Sequence, residues 1–133
     1  MKAPSKAAVD DLVARARAAR ERAHAPYSRF RVGAAILTKS GEVFAGCNVE
    51  NASFGACICA ERNAIFHAVA EEGPAMKIAT MAVVCIGHEF PPCGACRQVI
   101  AEFATPETTV CFLQNGEPVS MSMAELLPSA FKC

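Results

Sequence analysis

Two short stretches hold the residue types that do chemistry, Cys59-Ala60-Glu61 and Pro92-Cys93-Gly94-Ala95-Cys96. Together they offer three thiols and one carboxylate. Cys93 and Cys96 lie three apart at an expected helix start, so both thiols can face one point. Such a pair by itself suits a redox couple, half a zinc ribbon or simple packing. A redox couple usually follows a strand, whereas here a double proline, Pro91-Pro92, comes first. A third thiol, Cys59, stands at another expected helix start. The main competing arrangement is a closed structural site of Cys57, Cys59, Cys93 and Cys96. Against it, Cys57 and Cys59 are two apart in a stretch expected to be extended, which sends their side chains to opposite sides. Three thiolates leave a fourth position for water, the pattern of a catalytic zinc, one ion per chain. Glu61, in the first turn after Cys59, is placed to move protons for that water without binding the metal. The bland alternative is that its charge complements the helix dipole.

Charge sets a further requirement. Three thiolates on Zn²⁺ leave a net negative charge, which works against lowering the pKa of bound water. Two helix N-termini would offset this, because their dipoles favour anions. Arg62 and Arg97 each follow a ligand segment and could donate to a ligand sulfur. Arg62 is expected to do so.

The elements that must position these groups can be read from periodicity and punctuation. Residues 5–24 read as an amphipathic helix with Ser5 as N-cap and Val9, Leu12, Val13, Ala16, Ala19 and Ala23 at helical spacing. Its arginines are interleaved with Asp10, Asp11 and Glu21, as on a solvated face rather than a nucleic-acid stripe. Pro26 stops it. Strands over 32–38 and 43–49 form a hairpin around Gly41, and Asn48 and Glu50 then share one strand face. A helix over 59–72 ends at Gly73-Pro74. The nearly all-apolar strand 78–86 suits a sheet covered on both faces. A helix from about Cys93 to Phe103 follows, then strands over 109–113 and 118–120 around an Asn115-Gly116 turn. A short helix over 123–127 closes the order. The expectation is an α/β fold: a mixed five-stranded sheet between helical layers, in a single domain spanning 1–133.

Composition bounds the partners. Acidic and basic residues balance at 13 each, so no basic excess exists to bind nucleic acid. The longest apolar run, over 78–87, is too short to span a bilayer. Residues 1–24 lack the apolar segment of a secretory leader, so the eight cysteines are expected to be reduced in a cytoplasmic protein. With 53% apolar residues and a small domain's limited burial, some apolar surface should remain for a homo-oligomer.

Cys59-Ala60-Glu61-Arg62 and Pro92-Cys93-Gly94-Ala95-Cys96-Arg97-Gln98 resemble the two signatures of the cytidine deaminase family, in its small homotetrameric class with three cysteine ligands. Further matches are Pro26-Tyr27-Ser28 with Phe30, the stretch Val32 to Ala35, the stretch Gly46 to Asn51, and Leu126-Leu127-Pro128 with Phe131. The resemblance implies a three-layer α/β/α deaminase-like fold and zinc-dependent hydrolytic deamination of cytidine and 2′-deoxycytidine, with release of ammonia, in pyrimidine salvage. It implies that Glu61 takes a proton from water, delivers it to N3 of the ring and helps the amine leave. It further implies that Asn48 and Glu50 bind ribose hydroxyls and that Phe30 lines the base pocket. The Ala60 N–H would hold the base carbonyl, and Phe131 would close over a neighbouring subunit's pocket. Arg62 and Gln98 would support the metal site. The chain departs from the family pattern at Phe54, where Tyr is common, at Pro91, where Ser is common, and at Asn63, usually Thr.

Other functions stay in view. A deaminase of another amino-pyrimidine or of a nucleic-acid base would share the fold, although a His-x-Glu signature and a basic surface generally mark the latter. A structural-zinc interaction module would have a closed site and no need of Glu61.

Overall fold

The computed structural model describes residues 4–133. Ser5 opens helix α1 (Lys6–Arg20) by accepting from the Ala8 N–H at 3.1 Å. The helix ends four residues earlier than periodicity predicts. Its last turn tightens into bonds from Glu21, Arg22 and Ala23 to carbonyls three residues back, and the His24 N–H then joins Asn48 O at 3.0 Å. Strands β1 (Gly33–Thr38) and β2 (Val43–Cys47) form the expected hairpin. The second strand stops two residues before the expected end. Beyond Cys47, the side chain of Asn48 replaces a peptide group in the ladder: its Oδ1 accepts from Val32 N–H at 2.8 Å and its Nδ2 donates to Phe30 O at 2.7 Å.

After a single 3₁₀ turn at Phe54–Ala56 come α2 (Ala60–Glu72), β3 (Ile78–Val84), α3 (Gly94–Phe103), β4 (Ala104–Gln114), β5 (Glu117–Ser122) and α4 (Met123–Leu126). The strand order is β2-β1-β3-β4-β5. Among the strands of the described residues, β3 and β4 are the one pair that runs parallel, which requires a crossover, and α3 provides it. Strand β4 begins five residues earlier than expected because Ala104 already pairs with Ile78. Pro106 and Glu107 mask the pattern there, and the buried Thr108 hydroxyl bridges the irregularity by donating to Ile78 O at 2.6 Å. A capping box between Ser122 and Glu125 starts α4.

Period-two alternation divides the strands between two cores. Leu12 and Ala16 of α1 pack on Ala35, Ala82, Val84, Cys111 and Leu113. On the other face, Ala64, Ile65 and Ala68 of α2, Ile100 of α3 and Leu126 of α4 pack on Ala34, Ile36, Met81, Val83 and Val110. Two glycines permit this close layering. A Cβ on Gly33 would lie 1.8 Å from Ala16 O, and one on Gly46 would lie 2.5 Å from Ala64 N. Neither backbone neighbour can yield, so both positions exclude a side chain. The result is the α/β/α sandwich with a mixed five-stranded sheet.

Candidate active site

Cysteines occupy the N-cap positions of both central helices. Cys59 caps α2 and Cys93 caps α3, each with extended backbone and neither using its thiol to cap. Both thiols are therefore free to turn toward each other, and their Sγ atoms lie 3.9 Å apart. Cys96, buried in the first turn of α3, completes a trio whose Sγ atoms all lie within 4.8 Å of one another. Zinc–thiolate bonds of about 2.3 Å in a tetrahedron put sulfurs at about 3.8 Å from each other. The donor set, its spacing and its place at two helix N-termini fit a Zn²⁺ ion. Cys57 is not part of the trio: its sulfur accepts from the Asn51 N–H at 3.3 Å and donates to Asn51 O at 3.6 Å.

Glu61 lies on α2 beside these thiols and is only 5% exposed. Burial pushes its carboxyl up to about 7, with the nearby Cys59 charge adding to the shift. A group poised there can both accept and donate a proton near neutral pH. Cys59 is shifted the other way, down to about 5, first because the Cys96 thiol donates to it and then because Arg62 and Cys93 do. The Arg62 guanidinium donates from Nη2 to Cys59 Sγ at 3.5 Å, the contact anticipated from charge. Arg97 does something else. Its Nε donates to Pro92 O and its Nη1 to Leu126 O, both at 2.7 Å, tying the peptide before Cys93 to the end of α4. Gln98 donates to Phe131 O at 3.2 Å and holds the tail against α3.

Of the expected substrate residues, Ala60 adjoins Cys59 at the start of α2, and Phe30, Asn48, Glu50 and Phe131 lie on less regular chain. Ala60 is the first residue of α2 and fully buried. Asn48 and Glu50 turn toward segment 27–32. Glu50 accepts from the Tyr27 and Ser28 N–H groups at 2.9 and 3.1 Å and from the Ser28 hydroxyl. That hydroxyl, with the two N–H groups, holds the Glu50 carboxyl below its ordinary value. Ser28 Oγ in turn accepts from the Phe30 N–H at 3.0 Å. Phe30 is 46% exposed and Phe131 is 73% exposed. Phe54, also exposed, meets Tyr27 edge-on at 5.8 Å, and Asn63 donates to Cys47 O at 2.8 Å. A groove of about 720 Å³ lies elsewhere, between the end of α3, α4 and the tail, lined by residues such as Pro106, Met123 and Lys132. It contains none of the chemical groups.

Three contributors escape sequence reading. Ser28 links Glu50 to Phe30, the His88 ring lies 3.9 Å from that of Phe30, and Glu89 accepts from the Asn115 and Gly116 N–H groups at 2.7 and 3.1 Å. The sequence cues were the Pro26-Tyr27-Ser28 match beside Phe30 and the Asn115-Gly116 turn, whose outward N–H groups need an acceptor.

Residues 7–112 match the family described as the cytidine and deoxycytidylate deaminase zinc-binding region. The chain is 48% identical to a cytidine deaminase of Halalkalibacterium halodurans over 122 residues, 90% of this chain and 91% of that one. A cytidine deaminase of Sporosarcina psychrophila is 46% identical over 127 residues, 92% and 90% of the two chains. Among solved structures, the cytidine deaminase of Burkholderia pseudomallei superposes with a TM-score of 0.84 at 48% identity, covering 92% of this chain and 98% of that one. That of Mycobacterium tuberculosis gives 0.81 at 37% identity, with coverage of 93% and 97%. With its three-thiol cluster and buried glutamate on this fold, the chain belongs to the cytidine and deoxycytidylate deaminase family, and its metal is zinc.

Proposed function

We propose that this chain hydrolyses the C4 amine of free cytidine and 2′-deoxycytidine, giving uridine or 2′-deoxyuridine and ammonia, in pyrimidine salvage in the cytoplasm. The observation that carries the reading is Glu61, buried beside three clustered thiols with its carboxyl poised near neutrality. Cys59, Cys93 and Cys96 would hold the zinc ion, which when bound would supply Lewis acidity that lowers the pKa of water. Glu61 accepts the proton that water loses as its oxygen bonds to C4. The same carboxyl delivers that proton to N3. It then relays the second proton to the amine, the C4–N bond breaks, and ammonia departs as the C4 carbonyl forms. Arg62 offsets the negative charge of the thiolates by donating to Cys59.

Asn48 and Glu50 bind the ribose in this reading. A carboxamide has two N–H donors and two lone pairs, and the loop uses one of each. Phe30 faces the base, the Ala60 N–H meets its carbonyl, and Phe131 closes over the pocket of a second copy in a homotetramer. The exposed rings of Phe30, Phe54 and Phe131 support assembly. No described helix is long and apolar enough to cross a membrane.

The test follows the loss of cytidine absorbance with wild type and Glu61→Gln. The variant should keep one zinc per chain while kcat falls about 10²- to 10⁴-fold. Wild-type protein inert on both nucleosides would overturn the reading. So would full turnover by Glu61→Gln, which would leave zinc a structural role.

A further inference from the structure

We infer that His88 is a positioning residue of the base pocket: its ring, in tilted contact with that of Phe30, fixes the wall against which a pyrimidine lies. The inference rests on the proposed placement of Phe30 at the base.

Ser28 and Asn48 fix the backbone of Phe30 on both sides. Its N–H donates to Ser28 Oγ and its carbonyl accepts from Asn48 Nδ2. Its ring is another matter. Phe30 belongs to neither buried core, and half-exposed aromatic rings turn readily between rotamers. The ring in contact with it is that of His88, with centroids 3.9 Å apart and planes inclined by 52°. Phe90 lies on the other side of His88 at 6.0 Å. The three form a short row of rings with His88 in the middle.

His88 can act as a fixed wall because its own loop is fastened at three points. The turn from Cys85 is closed by the His88 N–H to Cys85 O at 3.2 Å, around Gly87 at φ +87°, a conformation that favours glycine. The next residue, Glu89, grips both outward N–H groups of the β4–β5 turn. At its far end the Pro92 carbonyl is held by Arg97. This loop runs from the end of β3 to Cys93, so one anchored segment sets a metal ligand and the ring behind the base. A sliding or tilted Phe30 would weaken pyrimidine binding and leave the proton transfers at Glu61 untouched.

The test is a double-mutant cycle on the zinc-loaded enzyme, reading KM and kcat for cytidine in His88→Ala, Phe30→Ala and the double variant, with zinc content and Tm alongside. His88→Phe serves as the conservative rescue. Ring pairs of this kind are worth about threefold to tenfold in binding, so His88→Ala should raise KM by that factor with kcat, zinc and Tm unchanged. His88→Phe should restore KM, and His88→Ala should add nothing once Phe30 is gone. A raised KM in Phe30→Ala with none in His88→Ala overturns the role of His88 and leaves the base pocket standing. No change in Phe30→Ala overturns the base-pocket reading itself. Additive effects, failure of the Phe rescue, or a fall in kcat with lost zinc or Tm would each assign His88 a merely structural part.

Discussion

The two halves of the site are built differently. The chemical half, Cys59, Glu61, Cys93 and Cys96, sits on the first turns of two helices that are packed into the core, and Glu61 and Cys96 are buried. The proposed substrate half, Phe30, Asn48, Glu50 and Phe131, sits on connecting chain, with Phe30 and Phe131 exposed and Asn48 and Glu50 half-buried. Groups that must hold a metal need fixed distances, and helix starts supply them with a favourable dipole. Groups that must admit and release a nucleoside need access, and loops supply it. One chain completes the first half; in the proposed assembly a neighbour completes the second.

This contrast can be broken most decisively at the metal. Cys96→Ser should lose bound zinc and with it all measurable turnover, checked by metal analysis and the cytidine assay. Cys57→Ser, its control, should keep one zinc per chain, since that thiol bonds to Asn51. Zinc lost from the control would return the closed four-thiolate site. Arg62→Gln comes next. Partners of metal ligands are worth about 10- to 100-fold in affinity or activity, so competition with a chelator should show zinc held more weakly by that factor. Unaltered occupancy and turnover would remove the charge-offset role. Smallest is Phe131→Ala, which should raise KM by a few-fold on the order of one buried aromatic contact, with zinc and Tm unchanged. A large fall in kcat there would blur the division between the halves.

The same division explains what could be read from sequence. The helices and most strands follow from local signals: Ser5 as cap, Gly41 and Asn115-Gly116 as turns, Gly73-Pro74 as a stop. The thiol trio follows from spacing plus helix starts. Local signals fail where a side chain answers a distant backbone. The carboxamide of Asn48 ends β2 early by serving residues 30 and 32. Arg97 reaches Leu126 rather than a sulfur, and His88 meets Phe30 across most of the middle of the chain. Such partners are chosen by topology, which no window of a few residues contains. The early start of β4 was hidden for a related reason, because Pro106 and Glu107 interrupt the pattern that Thr108 repairs.

With the proposed ribose role of Asn48 and Glu50, the carboxamide just after β2 bears on redesign for other sugars. Asp there would lose the donor to Phe30 O, and Gln would carry its amide one methylene too far from Val32 and Phe30. Libraries that vary this position and Glu50 to change sugar preference would therefore be sampling loop collapse along with specificity. Variation is better spent on rings that touch the pocket from loops anchored elsewhere, with Asn48 and Glu50 held constant as part of the frame.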